Sequence, residues 1–248
     1  MQLASAAVPV SASPSKFAAA ELSLPPTFPS QPPELVHEMV TVAHFSIQRV
    51  RELVEARPTL ARAAWDWGFG DWESALGAAS HVGNREIAEY LIAHGARPSL
   101  FSATMLGQLD VVRAFISAQP GAQRIPGPHS IPLLAHARAG GAVADPVLRY
   151  LESLGDAGAP PLAPLTDAEM TSLTGAYTFG PGPNDRVEVT IERRQLQFTR
   201  AGTTPRGLFH LGDHVFHPAG ASAVRIRFAG DRLTVHDPDL VLTARRIG

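Results

Sequence analysis

The chain contains no cysteine. That excludes disulfides, thiolate zinc sites and a cysteine nucleophile together, and it fits a bacterial cytoplasm or periplasm equally. Lysine is nearly absent too: Lys16 stands alone among 21 basic side chains. With the heavy use of alanine, this reads by association as the compositional bias of a GC-rich bacterial genome. Positive charge is not in excess, since the formal net charge is -2 and the pI about 6.5. Neutralising a phosphate backbone needs such an excess, so no nucleic-acid partner is expected. No run of 18 apolar residues occurs, so no membrane-spanning helix is expected.

What is present is enough apolar material, 45% of 248 residues, for one large or two modest cores. Residues 1–33 are rich in Ala, Ser and Pro, and Pro25, Pro26, Pro29, Pro32 and Pro33 keep them out of a helix. Met1–Ala12 is apolar and Val10-Ser11-Ala12 resembles a cleavage site, yet the basic start of an export signal is missing. The segment reads as a disordered leader or as the remainder of such a signal. A second break, Gly155–Pro161 with Pro164, marks a linker over 158–166. Apolar spacing is helical over 34–157 and of period two over 167–248.

The helical region repeats itself. In its clearest unit, Ser74–Ala96, Leu76 and Ala79 share one face, and Gly83 ends the first helix in the left-handed geometry glycine tolerates. Ile87, Leu91 and Ile92 form the inner face of a second helix that Gly95 stops. The pattern returns at Gly107, with Leu109, Val111, Val112, Phe115 and Ile116, and Gly140 follows Gly107 by 33 residues. Pro132-Leu133 opens a fourth unit whose outer helix carries Val147, Leu148 and Leu151. Val50, Leu53 and Val54 align with Ile87, Tyr90 and Leu91 at a shift of 37. Such a period marks a stack of helix pairs. Ile87, Leu91, Val111 and Phe115 are expected to meet in one apolar layer.

On these residues, segment 34–157 resembles a bacterial ankyrin-repeat domain of three to four repeats. It departs from that family in three places. Gly77 replaces the histidine of the opening motif, only 24 residues separate Gly83 from Gly107, and Ala142–Pro146 is inserted in the last unit. The resemblance implies a scaffold that recognises partner proteins.

Beyond the linker, Val187, Val189 and Ile191 alternate with Glu188, Thr190 and Glu192. Arg193-Arg194 turns the chain so that Ile191 faces Leu196 and Val189 faces Phe198. Gly212-Asp213 has the signature of a type II′ turn. Gly230-Asp231 joins Val224, Ile226 and Phe228 to Leu233 and Val235, and Leu240–Ile247 is the last strand. Six to eight short strands predict an antiparallel sheet, curled or closed as a small barrel. Leu173-Thr174-Gly175-Ala176-Tyr177, Gly180-Pro181-Gly182, Val187–Thr190 and Ala244-Arg245-Arg246 resemble the lipocalin-like β-domain appended to bacterial serine-hydrolase-like proteins. No hydrolase domain accompanies it here, so no catalytic role follows.

All three tryptophans fall in Trp65-Asp66-Trp67-Gly68-Phe69-Gly70-Asp71-Trp72, by position the finger between the first two units. Rigid aromatic area at low entropic cost suits a binding hot spot. Alternatively, these rings seal the end of the stack. His44, His81 and His136 lie near the ends of first helices, where a repeated position builds a line of imidazoles. None of the three belongs to a Glu-x-x-His or His-x-x-x-His pair, so no metal site is expected from them. A turn at Gly212-Asp213 pairs His210 with Val215, sending His210 and His214 to opposite faces and leaving His217 on the face of His210. Ser130 beside His129 lacks a nucleophile elbow. Gly180–Pro183 lacks the lysine of a phosphate loop, and Glu188 with Glu192 reads as a solvent face.

These readings predict an α+β protein of two domains, an all-α ankyrin-type stack followed by an antiparallel β-domain. It is expected to be non-enzymatic, binding a protein partner through Trp65, Asp66, Trp67, Phe69 and Trp72, with His44 and His81 beside them. Neither a cofactor nor a metal is expected. The alternative is a small-molecule binder or cryptic enzyme with an apolar pocket between stack and β-domain. There Trp67 or Trp72 would wall the pocket, and His81 or Asp66 would move protons. A third possibility makes the β-domain itself the site for a small apolar ligand.

Overall fold

Four helix pairs run through the first part of the chain in the computed structural model, which describes residues 26–238 and 240–247. The reading of a leader or export signal lies, up to residue 25, outside the described residues. The pairs are α1 (Pro33–Val42) with α2 (Ile47–Ala56), α3 (Ala75–His81) with α4 (Arg85–Ala93), α5 (Leu100–Met105) with α6 (Leu109–Ala118), and α7 (Leu133–Ala139) with α8 (Asp145–Leu154). Side-chain caps set several starts: Ser46 accepts from Arg49 N, Ser74 from Gly77 N and Asn84 from Ile87 N. Each satisfies an amide that the helix itself leaves unpaired. A short hairpin, β1 (Ala64–Asp66) and β2 (Trp72–Ser74), joins the first two pairs.

Helices α1, α3, α5 and α7 pack side by side in chain order. Gly83 also lets the end of α3 come close to α7. Its φ is +77°, and a Cβ there would sit 2.1 Å from the carbonyl oxygen of Ala139. The inner faces differ from expectation in detail. Val111 and Phe115 are 51% and 44% exposed, and Val112 and Ile116 take the buried positions. Residues 111, 112, 115 and 116 offer two apolar stripes one residue apart, and periodicity does not choose between them. The fold uses the stripe that faces the Leu133, Val147 and Leu151 group. In α4, Ala88 is buried and Ile92 only half-buried. The core accordingly forms two groups, one around Met39, Val50, Leu76, Ile87 and Leu91 and one around Val112, Leu133, Val147 and Leu151.

A helix absent from the sequence reading, α9 (Asp167–Leu173), follows the linker. Thr166 and Glu169 cap it reciprocally. Eight strands then follow: β3 (Gly175–Thr178), β4 (Arg186–Glu192), β5 (Gln195–Arg200), β6 (Arg206–Gly212), β7 (Val215–Pro218), β8 (Arg225–Ala229), β9 (Arg232–Asp237) and β10 (Leu240–Ile247). Each pairs antiparallel with the next, and β10 pairs with β3, so the sheet closes into a barrel. Closure removes the edge strands that an open sheet leaves exposed. Alternate residues such as Val187, Val189, Leu196 and Phe198 fill the interior, and α9 adds Met170 and Leu173.

The expected pairs Ile191–Leu196, Val189–Phe198, Ile226–Val235 and Phe228–Leu233 are present. The β6–β7 turn is one residue later than expected. Positive φ falls on Asp213 (51°) and His214 (54°), His210 pairs with Phe216, and the register shifts between His210 and Gly212. Two positive central φ values suit the twist of the strands, and the bulge absorbs the extra residue. As a result His210 and His214 approach with ring centroids 6.5 Å apart. His217 stacks on Phe209, on the face opposite His210. Pro33–Gly248 form one unit in which helices and barrel pack together. Among the described residues, no helix is long and apolar enough to cross a membrane.

Candidate metal centre

Strand alternation in the finger sets the site. Trp65 pairs with Glu73 and Asp66 with Trp72, so Trp72 and Glu73 face opposite ways. Trp72 is 64% exposed and Glu73 is 0% exposed. Trp65 and Trp67 turn back onto the helical core, with ring centroids 4.9 and 5.3 Å from His37. Phe69 instead reaches the barrel core, 6.2 Å from Phe198. Asp66 spends its carboxylate on the turn, accepting from Gly68 N at 2.8 Å. Of the aromatic residues expected to form a binding finger, only Trp72 stands open.

The buried Glu73 carboxylate meets three imidazoles. His44 follows α1, and His81 ends α3. The shift of 37 that aligns the first two units also aligns these histidines, and adjacent packing brings their Nε2 atoms to 3.0 Å. His129 arrives from the short turn Pro128–Ser130. Glu73 Oε1 lies 3.0 Å from His81 Nε2, and Oε2 lies 3.3 Å from His129 Nε2 and 3.6 Å from His44 Nε2. Trp67 donates its indole N–H to Oε2 at 2.8 Å. The four residues each offer one donor atom, and these atoms all lie within 4.8 Å of one another, an arrangement that could hold a metal ion.

Hydrogen bonds on the far ring nitrogens aim the imidazoles. His44 Nδ1–H donates to Thr41 O at 3.0 Å and Val40 O at 3.1 Å. His129 Nδ1–H donates to Asp71 Oδ2 at 2.7 Å. In a neutral ring, each bond leaves the lone pair on Nε2, directed at Glu73. Asp71 Oδ1 also accepts His129 N–H at 2.9 Å, while Oδ2 accepts from Arg206 Nη1 at 2.5 Å. Arg206 belongs to β6, so the barrel takes part in building the site. His129 and Ser130 both hold left-handed φ values, 59° and 61°. That conformation costs an L-residue about 1–2 kcal/mol. Asp71 holds the first residue in place, and the Ser130 hydroxyl, accepting from Gly220 N at 2.8 Å, holds the second. Gly220 itself is required, because a Cβ would lie 2.0 Å from Asp71 Cγ.

Without an ion the cluster is an awkward one. Glu73 Oε1 is buried, and its close neighbour is His81 Nε2 at 3.0 Å, with no well-formed hydrogen bond to it. Burial raises the pKa of Glu73, but the hydrogen bond from His129 and the nearness of His81 outweigh it, bringing the pKa to about 2. Burial lowers that of His129, but bonds to Asp71 and Glu73 outweigh it and lift it to about 9. Desolvation also opposes ionisation of Asp71, and its bonds with His129 prevail, so its pKa is lowered. A tetrahedral ion with bonds near 2.05 Å has donor–donor edges of about 3.3 Å. The His44–His81 separation of 3.0 Å and those of Glu73 Oε2 from His129 and His44, 3.3 and 3.6 Å, bracket that edge.

His136, the third histidine of the expected line, stands apart from the four. It is fully buried, with Nδ1 on Pro132 O at 3.1 Å and Nε2 without a partner. Burial pulls its pKa down to about 4. The sequence reading missed Glu73 and His129 as members of this cluster. The one signal for Glu73 was its alternation with Trp72 in a two-residue-period strand, and His129 carried none. Comparison with known protein families, with curated proteins and with solved structures finds no match to this chain.

Proposed function

We propose that the protein binds one first-row divalent transition ion through His44, Glu73, His81 and His129, at the junction of helices and barrel. The convergence of three imidazole Nε2 atoms on a buried carboxylate with an orphaned oxygen carries this reading. Three nitrogens and a carboxylate without thiolate suit Zn2+, Fe2+ or Co2+ and disfavour Cu+ and iron–sulfur clusters. In the same reading the helix pairs are ankyrin-type repeats, supported by the shift of 37 and the left-handed glycines 83, 95 and 107. The barrel is lipocalin-like, supported by its eight strands in meander order. Recognition of a protein partner is the accompanying role, and it draws support from Trp72 and Phe45, both exposed and each next in sequence to a ligand.

Metal analysis of the purified protein and titration of the stripped protein with Zn2+ test the proposal. One ion per chain and a rise in melting temperature on loading are expected. His81→Ala and Glu73→Gln should each abolish stoichiometric binding while circular dichroism still reports helices and strands. A folded wild-type chain that binds no ion at micromolar concentration would refute the assignment.

A further inference from the structure

We infer that the ion keeps one coordination position on its solvent side, and that this position takes a carboxylate from outside the chain. The inference rests on the metal reading above and adds a ligand to it. The first ground is the asymmetry of the cluster. Glu73 is 0% exposed and is backed by the indole N–H of Trp67, so the carboxylate forms a closed floor. The side chains of His44, His81 and His129 are 22%, 11% and 25% exposed. The exposed side of the cluster is therefore that of the imidazoles.

The second ground is the donor set. It is bounded by 4.8 Å, looser than a closed tetrahedron whose edges are all about 3.3 Å. Sites closed by protein alone are mostly rich in thiolate, whereas nitrogen and oxygen sets commonly retain a water. The third ground is charge. Imidazoles ligate a metal as neutral rings, and Asp71 is matched by Arg206, so a dication here would have Glu73 as the negative group among its four donors. The centre then carries a net positive charge in a half-buried setting, where an anionic oxygen donor is favoured over water. Phe45 and Val82 are exposed and each follows a histidine of the cluster in sequence, so apolar surface adjoins those histidines along the chain. A carboxylate with an apolar body therefore fits better than a small inorganic anion.

The full chain loaded with one equivalent of Co2+ provides the test, because cobalt absorption reports coordination number. Acetate, hexanoate and a short peptide with one glutamate are titrated in separate arms. A saturable change in the visible bands, tighter for hexanoate than for acetate, is expected. Phe45→Ser should reduce that preference and leave the cobalt stoichiometry at one. A peptide that binds tighter than hexanoate assigns the carboxylate to a protein partner, and the reverse order assigns it to a free acid. Cobalt bands that form at one equivalent and ignore all three additions overturn this inference and leave the metal site standing. If no cobalt bands form, both fall.

Discussion

Asp71 shows how much one side chain does in this molecule. It orients His129, holds the strained backbone of that residue, and neutralises Arg206. Asparagine in its place keeps the shape but accepts less strongly and loses the charge, so the imidazole is less firmly aimed. Loss of an outer carboxylate of this kind typically costs about 10- to 100-fold in metal affinity. Asp71→Asn is therefore expected to weaken Zn2+ binding by that factor, measured by competition with a chromophoric chelator. Unchanged affinity would remove Asp71 from the site. His136 gives a second prediction at this scale. Its buried ring, near His81 and Glu73, is held neutral with a pKa of about 4, against an ordinary value of 6.5 in the unfolded chain. The unfolded state then binds more protons between those two values. Its contribution to stability is complete above pH 6.5 and is lost progressively as pH falls to 4. The loss is on the order of 3 kcal/mol. Urea unfolding at pH 7 and 4.5 should show a smaller pH difference for His136→Leu than for the wild type. At this scale the sequence was partly readable. His44 and His81 share a repeat position, and that was visible. Glu73 and His129 come from unlike elements whose meeting no local spacing encodes.

Helices, hairpins and the closing strand were largely readable, because each follows from a short-range cause. Glycine ended the helices at 83, 95 and 107, and the two-residue turns at Arg193-Arg194 and Gly230-Asp231 set the strand register. Errors arose where two local solutions differ by one residue. In α6, Val111 with Phe115 and Val112 with Ile116 are equivalent as patterns, and only packing against the neighbouring helices separates them. At the β6–β7 turn, Gly212-Asp213 and Asp213-His214 both suit a tight turn, and the bulge after His210 selects the second. The α6 assignment has a direct consequence. Ile116→Ala empties a buried position and should cost about 2–4 kcal/mol. Phe115→Ala trims an exposed ring and should cost under about 1 kcal/mol. Urea midpoints compared at constant m-value decide between them, and equal losses would mean that α6 is rotated from its described position.

At the scale of the whole molecule, helices and barrel meet through an ion pair whose partners lie 135 positions apart in sequence. No periodicity reports such a contact, which is why the sequence reading treated the two parts as separate domains, with a pocket between them only as the alternative. Arg206 and Asp71 are both nearly free of solvent, with side chains 6% and 2% exposed. Breaking a buried pair from one side leaves a charge uncompensated and costs about 3–5 kcal/mol. Here His129 still faces Asp71, so Arg206→Met should fall at the low end, while Asp71→Asn strands the guanidinium, whose Nε already lacks a partner. Combining the two changes removes both charges at once. The double variant is therefore expected to be more stable than the sum of the single losses predicts, by at least about 1 kcal/mol. Chemical denaturation of the four proteins, stripped of metal so that binding does not enter, measures this coupling. Additive losses would mean that Arg206 and Asp71 do not act as a pair, and would leave the Gly220–Ser130 hydrogen bond as the barrel's part in the site.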